Sequence, residues 1–110
     1  MTTAATSLWN TLSTQQLIGV LCAIDNPATM QAFLRDVMTQ KEIVEISSRL
    51  QAAKMLQAGA TYAQIVQQTK LSSRTVARIS DWLQNGQGGY AAALDMITTH
   101  HSHTPPARAE

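Results

Sequence analysis

Several kinds of feature are missing from this chain of 110 residues, and each absence narrows its chemistry. Cysteine occurs once, at Cys22, so no disulfide can form within the chain. Its neighbours Leu21, Ala23 and Ile24 predict a buried, unreactive thiol. No apolar run approaches the length of a membrane span. The opening residues MTTAATS carry no base ahead of an apolar stretch, so no secretory signal is expected and a cytoplasmic location fits best. No internal repeat is visible. β-Branched residues never alternate over a strand-length run, which argues against sheet. No Ser/His/Asp or Cys/His arrangement stands out, and the acids are scattered rather than paired. Nothing therefore points to an enzyme. The glycines between Gly86 and Gly89 follow no strand, so they do not form a phosphate-cradling nucleotide loop.

A globular chain remains, 45% hydrophobic and 14% charged, long enough for one domain. Its net charge is only +1, but the charges are unevenly spread. Up to residue 45, Asp25, Asp36, Glu42 and Glu45 outnumber Arg35 and Lys41. Residues 46–80 carry Arg49, Lys54, Lys70, Arg74 and Arg78 with no acid at all. After residue 80, Asp81, Asp95 and Glu110 outnumber Arg108. A central basic segment is the electrostatic footprint of a surface that meets nucleic acid. The plainer reading is a solvated helical face.

The patterned segments read as helices. The first is expected near residues 11–24, with Ser13 and Gln16 as a capping box and Leu17, Val20, Leu21 and Ile24 on one face. Leu8, Trp9 and Leu12 form an apolar arm or extra turn ahead of it. Asp25-Asn26-Pro27 ends that helix and starts a second, near 27–37, which should bury Met30, Phe33, Leu34 and Val37. Thr39 with Glu42 opens a third, to about Ala58, closed by Gly59. Ile43, Ile46, Leu50 and Ala53 form one stripe on it, and Val44, Met55 and Leu56 lie outside that stripe. So broad an apolar surface calls for cover on several sides, and a second subunit is a natural source. A fourth helix is expected near 61–68 and a fifth from Ser72 to about Gln84 or Asn85. A sixth, near 90–97, presents Ala93, Leu94 and Ile97. Residues 1–97 thus form the domain, and residues 98–110 are expected to be a disordered tail. His100, His101 and His103 fall in that tail and read as solvated polar residues, not as metal ligands. Trp9 and Trp82 read as core or interface anchors.

The stretch TYAQIVQQTKLSSRTVARIS, Thr61–Ser80, carries the functional signal. Two short helices joined by a tight turn form a helix-turn-helix, the unit that places one helix in the major groove of DNA. Val76, Ile79 and Leu83 share one side of the second helix, and Ile65 and Leu71 complete a small core with them. Arg74 and Arg78, with Ala77 between, lie opposite. Arginine donates bidentately to guanine or clamps a phosphate. Ser72, Ser73 and the free amides of the helix start can hold a phosphate, with Thr75 positioning the helix. Thr61 and Tyr62 are candidate backbone contacts from the other side. Lys70 stands where glycine is common, and a turn lysine can touch phosphate. Double-stranded DNA is therefore the expected partner. The alternative is a helical protein–protein interaction module whose basic face meets an acidic partner.

FLRDVMTQKEI, followed by SSRLQAAKMLQAGATYAQIVQQTKLSSRTVARISDWLQNGQGGY, resembles the Trp repressor superfamily, and within it the Trp-repressor-related YerC/YecD branch. WLQNGQGGYAAALDMI is the most distinctive part, with Trp-Leu, a polar stretch, Gly-x-Gly-Gly-Tyr and a short apolar helix. The resemblance covers about residues 15–97. It implies an all-α, intertwined homodimer with two helix-turn-helix heads and a transcriptional regulator, a repressor in the family's usual mode, reading a two-fold symmetric operator. It also implies a corepressor question. Arg49, Thr75 and Arg78 match positions that hold tryptophan's polar end in the Trp repressor proper, and Thr39 matches a threonine from the partner subunit. Ile79 and Trp82 stand where that relative has small residues beside the indole, and Asp36 replaces an apolar pocket residue. These side chains should fill or reshape the pocket, so tryptophan is not the expected ligand. Arg49 is then free for a phosphate or a structural hydrogen bond. No cofactor follows from the sequence, and no effector is identified by it.

Overall fold

The computed structural model of the chain describes residues 7–103. Among these residues there are six helices: α1 (Leu12–Ala23), α2 (Pro27–Val37), α3 (Gln40–Gln57), α4 (Tyr62–Thr69), α5 (Ser73–Asn85) and α6 (Gly89–His103). The all-α expectation holds, and most boundaries fall within a residue or two of the sequence pattern. The chain divides into two compact units after Ile43.

In the first unit, local chemistry sets the helix ends. The Thr11 side chain accepts the Thr14 amide at 3.1 Å and caps α1. Ser13, the expected cap, lies inside the helix. The Thr14 hydroxyl also donates back to the carbonyl of Leu8 at 2.8 Å, and the cap lies two residues earlier than the Ser13–Gln16 spacing suggested. Asn26 caps α2 by accepting the Thr29 amide at 2.8 Å, and Pro27 supplies a first-turn φ without needing a donor.

Neither α1 nor α2 contains a buried residue. Met30, Phe33 and Leu34 are half-buried rather than buried, and Val37 is 57% exposed. Cys22 is exposed, contrary to the expected buried thiol. Leu12, Leu17, Ile18 and Val20 are exposed as well. The physical reason is common to them: the described residues of the first unit leave these apolar faces largely uncovered. Trp9, expected as an anchor, is half exposed for the same reason.

The second unit does have a core. Ala52, Ala53, Ile65, Val76, Ile79 and Leu94 are buried, drawn from α3, α4, α5 and α6. Leu50, Leu56, Leu71, Leu83, Tyr90 and Ile97 pack around them. Ala52 and Ala53 are the residues of α3 that are wholly buried in this core. Each fully buried Ile or Val contributes about 1.5–3 kcal/mol of transfer free energy. Val44 and Ile46, on α3, remain more than half exposed.

The capping box at the start of α3 forms as expected: Glu42 Oε1 accepts the Thr39 amide at 2.9 Å, and Thr39 Oγ1 accepts the Glu42 amide at 3.1 Å. Gly59, at φ 91°, turns the chain out of α3 in the left-handed region. Helix α6 runs to His103, beyond the end expected near residue 97. Residues 98–103 therefore continue a helix where a tail was expected, and the rest of that expected tail lies outside the described residues. The three histidines belong to α6 by backbone, but their side chains also lie outside the described residues. No described helix is long and apolar enough to cross a membrane.

Candidate nucleic-acid interface

The basic segment is built around a turn between α4 and α5. Helix α4 begins with a complete capping box: the Thr61 amide donates to Gln64 Oε1 at 2.9 Å, and the Gln64 amide donates to Thr61 Oγ1 at 3.2 Å. This leaves Tyr62, the first helical residue, 43% exposed. At the other end, the buried Thr69 hydroxyl donates to the Ile65 carbonyl at 2.7 Å and accepts the Leu71 amide at 3.3 Å. Lys70 adopts φ 64°, ψ 12°, and its amide donates to Val66 at 2.9 Å. A non-glycine residue is thus held in the left-handed conformation that glycine adopts most easily. It swings the chain through the corner so that Leu71 can fold back against the core.

Ser72 then starts α5. Its hydroxyl oxygen accepts the Thr75 amide at 3.1 Å and lies 3.1 Å from the Thr75 hydroxyl, while its carbonyl accepts the Val76 amide at 3.0 Å. The Ser72 and Thr75 hydroxyls are thus engaged with each other, and Thr75 is half-buried. The first-turn amides of Ser73 and Arg74 have no intrahelical acceptor by helix geometry, so they are the donors a phosphate would meet.

Val76 and Ile79 are wholly buried and fix the rotation of α5. This turns Ser73, Arg74, Ala77 and Arg78 outward, all exposed. Among the described residues, neither arginine is held in an ion pair. The structure thus brings together Ser73, Arg74, Ala77 and Arg78 on one face of α5. Lys70 is exposed in the turn before that helix, and Thr61 and Tyr62 are exposed at the start of α4. Sequence reasoning missed one member of this face. Asp81 lies one turn beyond Ala77 and Arg78, is exposed, and accepts a hydrogen bond from Asn85 Nδ2 at 3.0 Å. Its i+4 and i+3 spacing from those residues was the available signal. Counted by segment, it fell outside the basic stretch.

An open cavity of about 910 Å³ lies between α3, α5 and α6 and shares Asp81 and Asn85 with the edge of this face. Ile46, Arg49, Leu50, Trp82, Tyr90 and Ala93 are among its lining residues, but Thr75 and Arg78 are not. Ile79 lies in the core with Val76, as its helical spacing implied, and is not among the cavity's lining residues, while Trp82 stands in the cavity wall, 40% exposed. Arg49 Nη2 donates to Glu45 Oε2 at 2.9 Å. Its Nε is buried without an acceptor, an arrangement that costs about 1–3 kcal/mol until one is supplied. Burial pushes the Tyr90 phenol above its ordinary pKa, opposed by the positive charge of Arg49. Among the described residues, no three His, Cys, Asp or Glu side chains are grouped to hold a metal ion.

The family model for the Trp repressor protein matches residues 12–98. YerC of Bacillus subtilis (strain 168), itself uncharacterised, is 32% identical over 82 residues, covering 74% of this chain and 79% of YerC. Two solved structures superpose with a TM-score of 0.79 each. One is a TrpR-like protein from Eubacterium eligens, 28% identical, covering 84% of this chain and 95% of the other. The second is a candidate Trp repressor from Staphylococcus aureus, 31% identical, covering 88% and 96%. The chain belongs to the Trp repressor family.

Proposed function

We propose that this member of the Trp repressor family is a homodimeric, sequence-specific DNA-binding regulator of transcription, acting as a repressor in the cytoplasm and without catalysis. One observation carries the reading: Arg74, Ala77 and Arg78 face outward, opposite the buried Val76 and Ile79, on a helix seated by a tight turn. In this reading α4 and α5 form the helix-turn-helix, and α5 enters the major groove. Arg74 and Arg78 contact bases or phosphates, and Ala77 keeps the helix close to the base edges. Ser73 and the first-turn amides hold a phosphate, with Ser72 and Thr75 fixing the helix start. Thr61, Tyr62 and Lys70 add contacts to the backbone.

The dimer is supported by α1 and α2, none of whose residues is fully buried, and by exposed Val44 and Ile46 on α3. Apolar faces of this extent mark an interface. Free tryptophan is not the effector in this reading. The separation of Arg49 from Thr75 and Arg78 in the cavity lining supports that, since the set does not converge on one pocket. Titration calorimetry with L-tryptophan checks this point, and micromolar binding would overturn it.

Binding of random-sequence duplex DNA, followed by fluorescence anisotropy against salt, tests the reading as a whole. The expected log–log slope is steep, about −0.9 for each phosphate neutralised. No binding even at low salt would reject it and favour a helical module that docks an acidic protein.

A further inference from the structure

The cavity beside Arg49 needs an occupant with two properties. Its lining includes apolar Ile46, Leu50, Trp82 and Ala93, and Ile46 is more than half exposed. It also contains a guanidinium that Glu45 engages at Nη2 alone, with Nε lacking an acceptor. A suitable occupant therefore offers an apolar surface with a carboxylate at its edge.

The first unit of this same chain contains such a surface. Helix α1 has no charged residue at all. Helix α2 carries Met30, Phe33, Leu34 and Val37 on one side, with Asp36 at the margin beside Phe33. Asp36 is exposed and has no ion pair among the described residues. The other acids of this segment are less suited. Glu42 is used in the cap of α3, Glu45 already holds Arg49, and Asp25 lies between helices rather than beside an apolar stripe.

We propose that α2 of a second copy docks on this cavity and that its Asp36 carboxylate accepts hydrogen bonds from Arg49, so that the site is completed only in the dimer. This rests on the homodimer proposed above and deepens it. The cavity becomes a subunit joint, closed by a carboxylate from the protein itself in place of a small-molecule acid.

Two charge reversals in separate copies test it. Asp36→Arg places two guanidinium groups at each joint of its homodimer, and Arg49→Asp places two carboxylates there. When the two variants are mixed, each joint of the heterodimer again holds one arginine and one aspartate. Native mass spectrometry of the mixture should show heterodimer over homodimers about tenfold above the binomial expectation. A pair confined to one chain cannot be repaired by mixing, so a binomial mixture overturns the proposal. A binomial mixture together with a thermal shift on adding L-tryptophan assigns the cavity to a small carboxylate instead. If the reversed chains lose helicity, Asp36→Asn, Arg49→Gln and their double variant replace them. Each single change should then weaken the dimer about tenfold and the double no further, whereas multiplicative losses overturn the proposal. Sedimentation of the unaltered chain separates the two readings: a monomer at tens of micromolar rejects the dimer itself, whereas a dimer without coupling rejects only the Asp36–Arg49 joint.

Discussion

The Lys70 amide donates to the Val66 carbonyl at 2.9 Å while Lys70 itself is held at φ 64°. That bond closes the last turn of α4, and the left-handed residue directs the chain into α5. A side chain with a Cβ is strained in this conformation, by about 1 kcal/mol. Lys70→Gly should therefore raise stability by about that amount, seen as a melting temperature higher by a few degrees. The same change removes a positive charge next to α5, so affinity for random duplex should fall modestly. A lower melting temperature would show that the lysine side chain contributes more to the fold than its backbone strain costs.

The outward pair on α5 is the centre of the DNA reading. An operator is first selected from a random duplex pool, and the double variant Arg74→Ala with Arg78→Ala is then measured by gel retardation. Each arginine in a base or phosphate contact contributes about 1–3 kcal/mol, so the loss should be at least about a hundredfold. Both side chains are exposed, and the unfolding midpoint should not move. Unchanged retardation would remove these residues from the interface.

Asp81 makes the opposite prediction. It stands on the same face as Ala77 and Arg78 and repels phosphate. Asp81→Asn keeps the shape, and the Asn85 contact can persist with an amide oxygen in place of the carboxylate. Affinity for random duplex at low salt should rise by about two- to fivefold, with the gain shrinking as salt is added. An unchanged affinity would place Asp81 away from the DNA.

These positions and the helix caps show what local sequence chemistry can convey. The caps at Thr39, Thr61 and Ser72 were legible because each depends on a side-chain oxygen three residues ahead of the amide that it accepts. The Arg74–Arg78 face was legible because its buried opposite side repeats at helical spacing. Thr11 displaced Ser13 as the cap of α1 because the Thr14 hydroxyl found the Leu8 carbonyl, a contact outside the helix pattern. The exposure of Cys22 and Val37 was not legible at all. An apolar stripe announces that it needs cover, but it does not say whether the same chain provides it. The meeting of Arg49 with Tyr90 depends on packing between α3 and α6, which no local spacing encodes.

Gly86 sits where the chain leaves α5. A Cβ built there would come within 2.5 Å of the Trp82 carbonyl oxygen, which also accepts the Gly86 amide at 2.9 Å. The obstacle is backbone, so it cannot rotate away. Gly86→Ala should cost about 1–3 kcal/mol in denaturant unfolding. It should also quench or shift the Trp82 fluorescence, because Trp82 must move for the clash to be relieved. An alanine variant as stable as the parent would mean that the α5–α6 connection deforms freely.

Tyr90 provides a pH test of the cavity. Burial raises its phenol above the ordinary value of about 10, and Arg49 works against that rise. The unfolded chain therefore gives up this proton at a lower pH than the folded chain. Below about pH 10 the group is protonated in both states and its contribution to stability is fully present. As pH rises through the folded pKa, that contribution is lost. The unfolding midpoint of the parent should therefore fall more steeply above about pH 10 than that of Tyr90→Phe, the lysines and Tyr62 being common to both chains. Arg49→Gln should push the phenol higher still, because it removes the lowering charge. Ultraviolet difference absorbance of tyrosinate reads this directly. A Tyr90 that ionises earlier in the Arg49→Gln chain would show that burial beside Arg49 does not govern it.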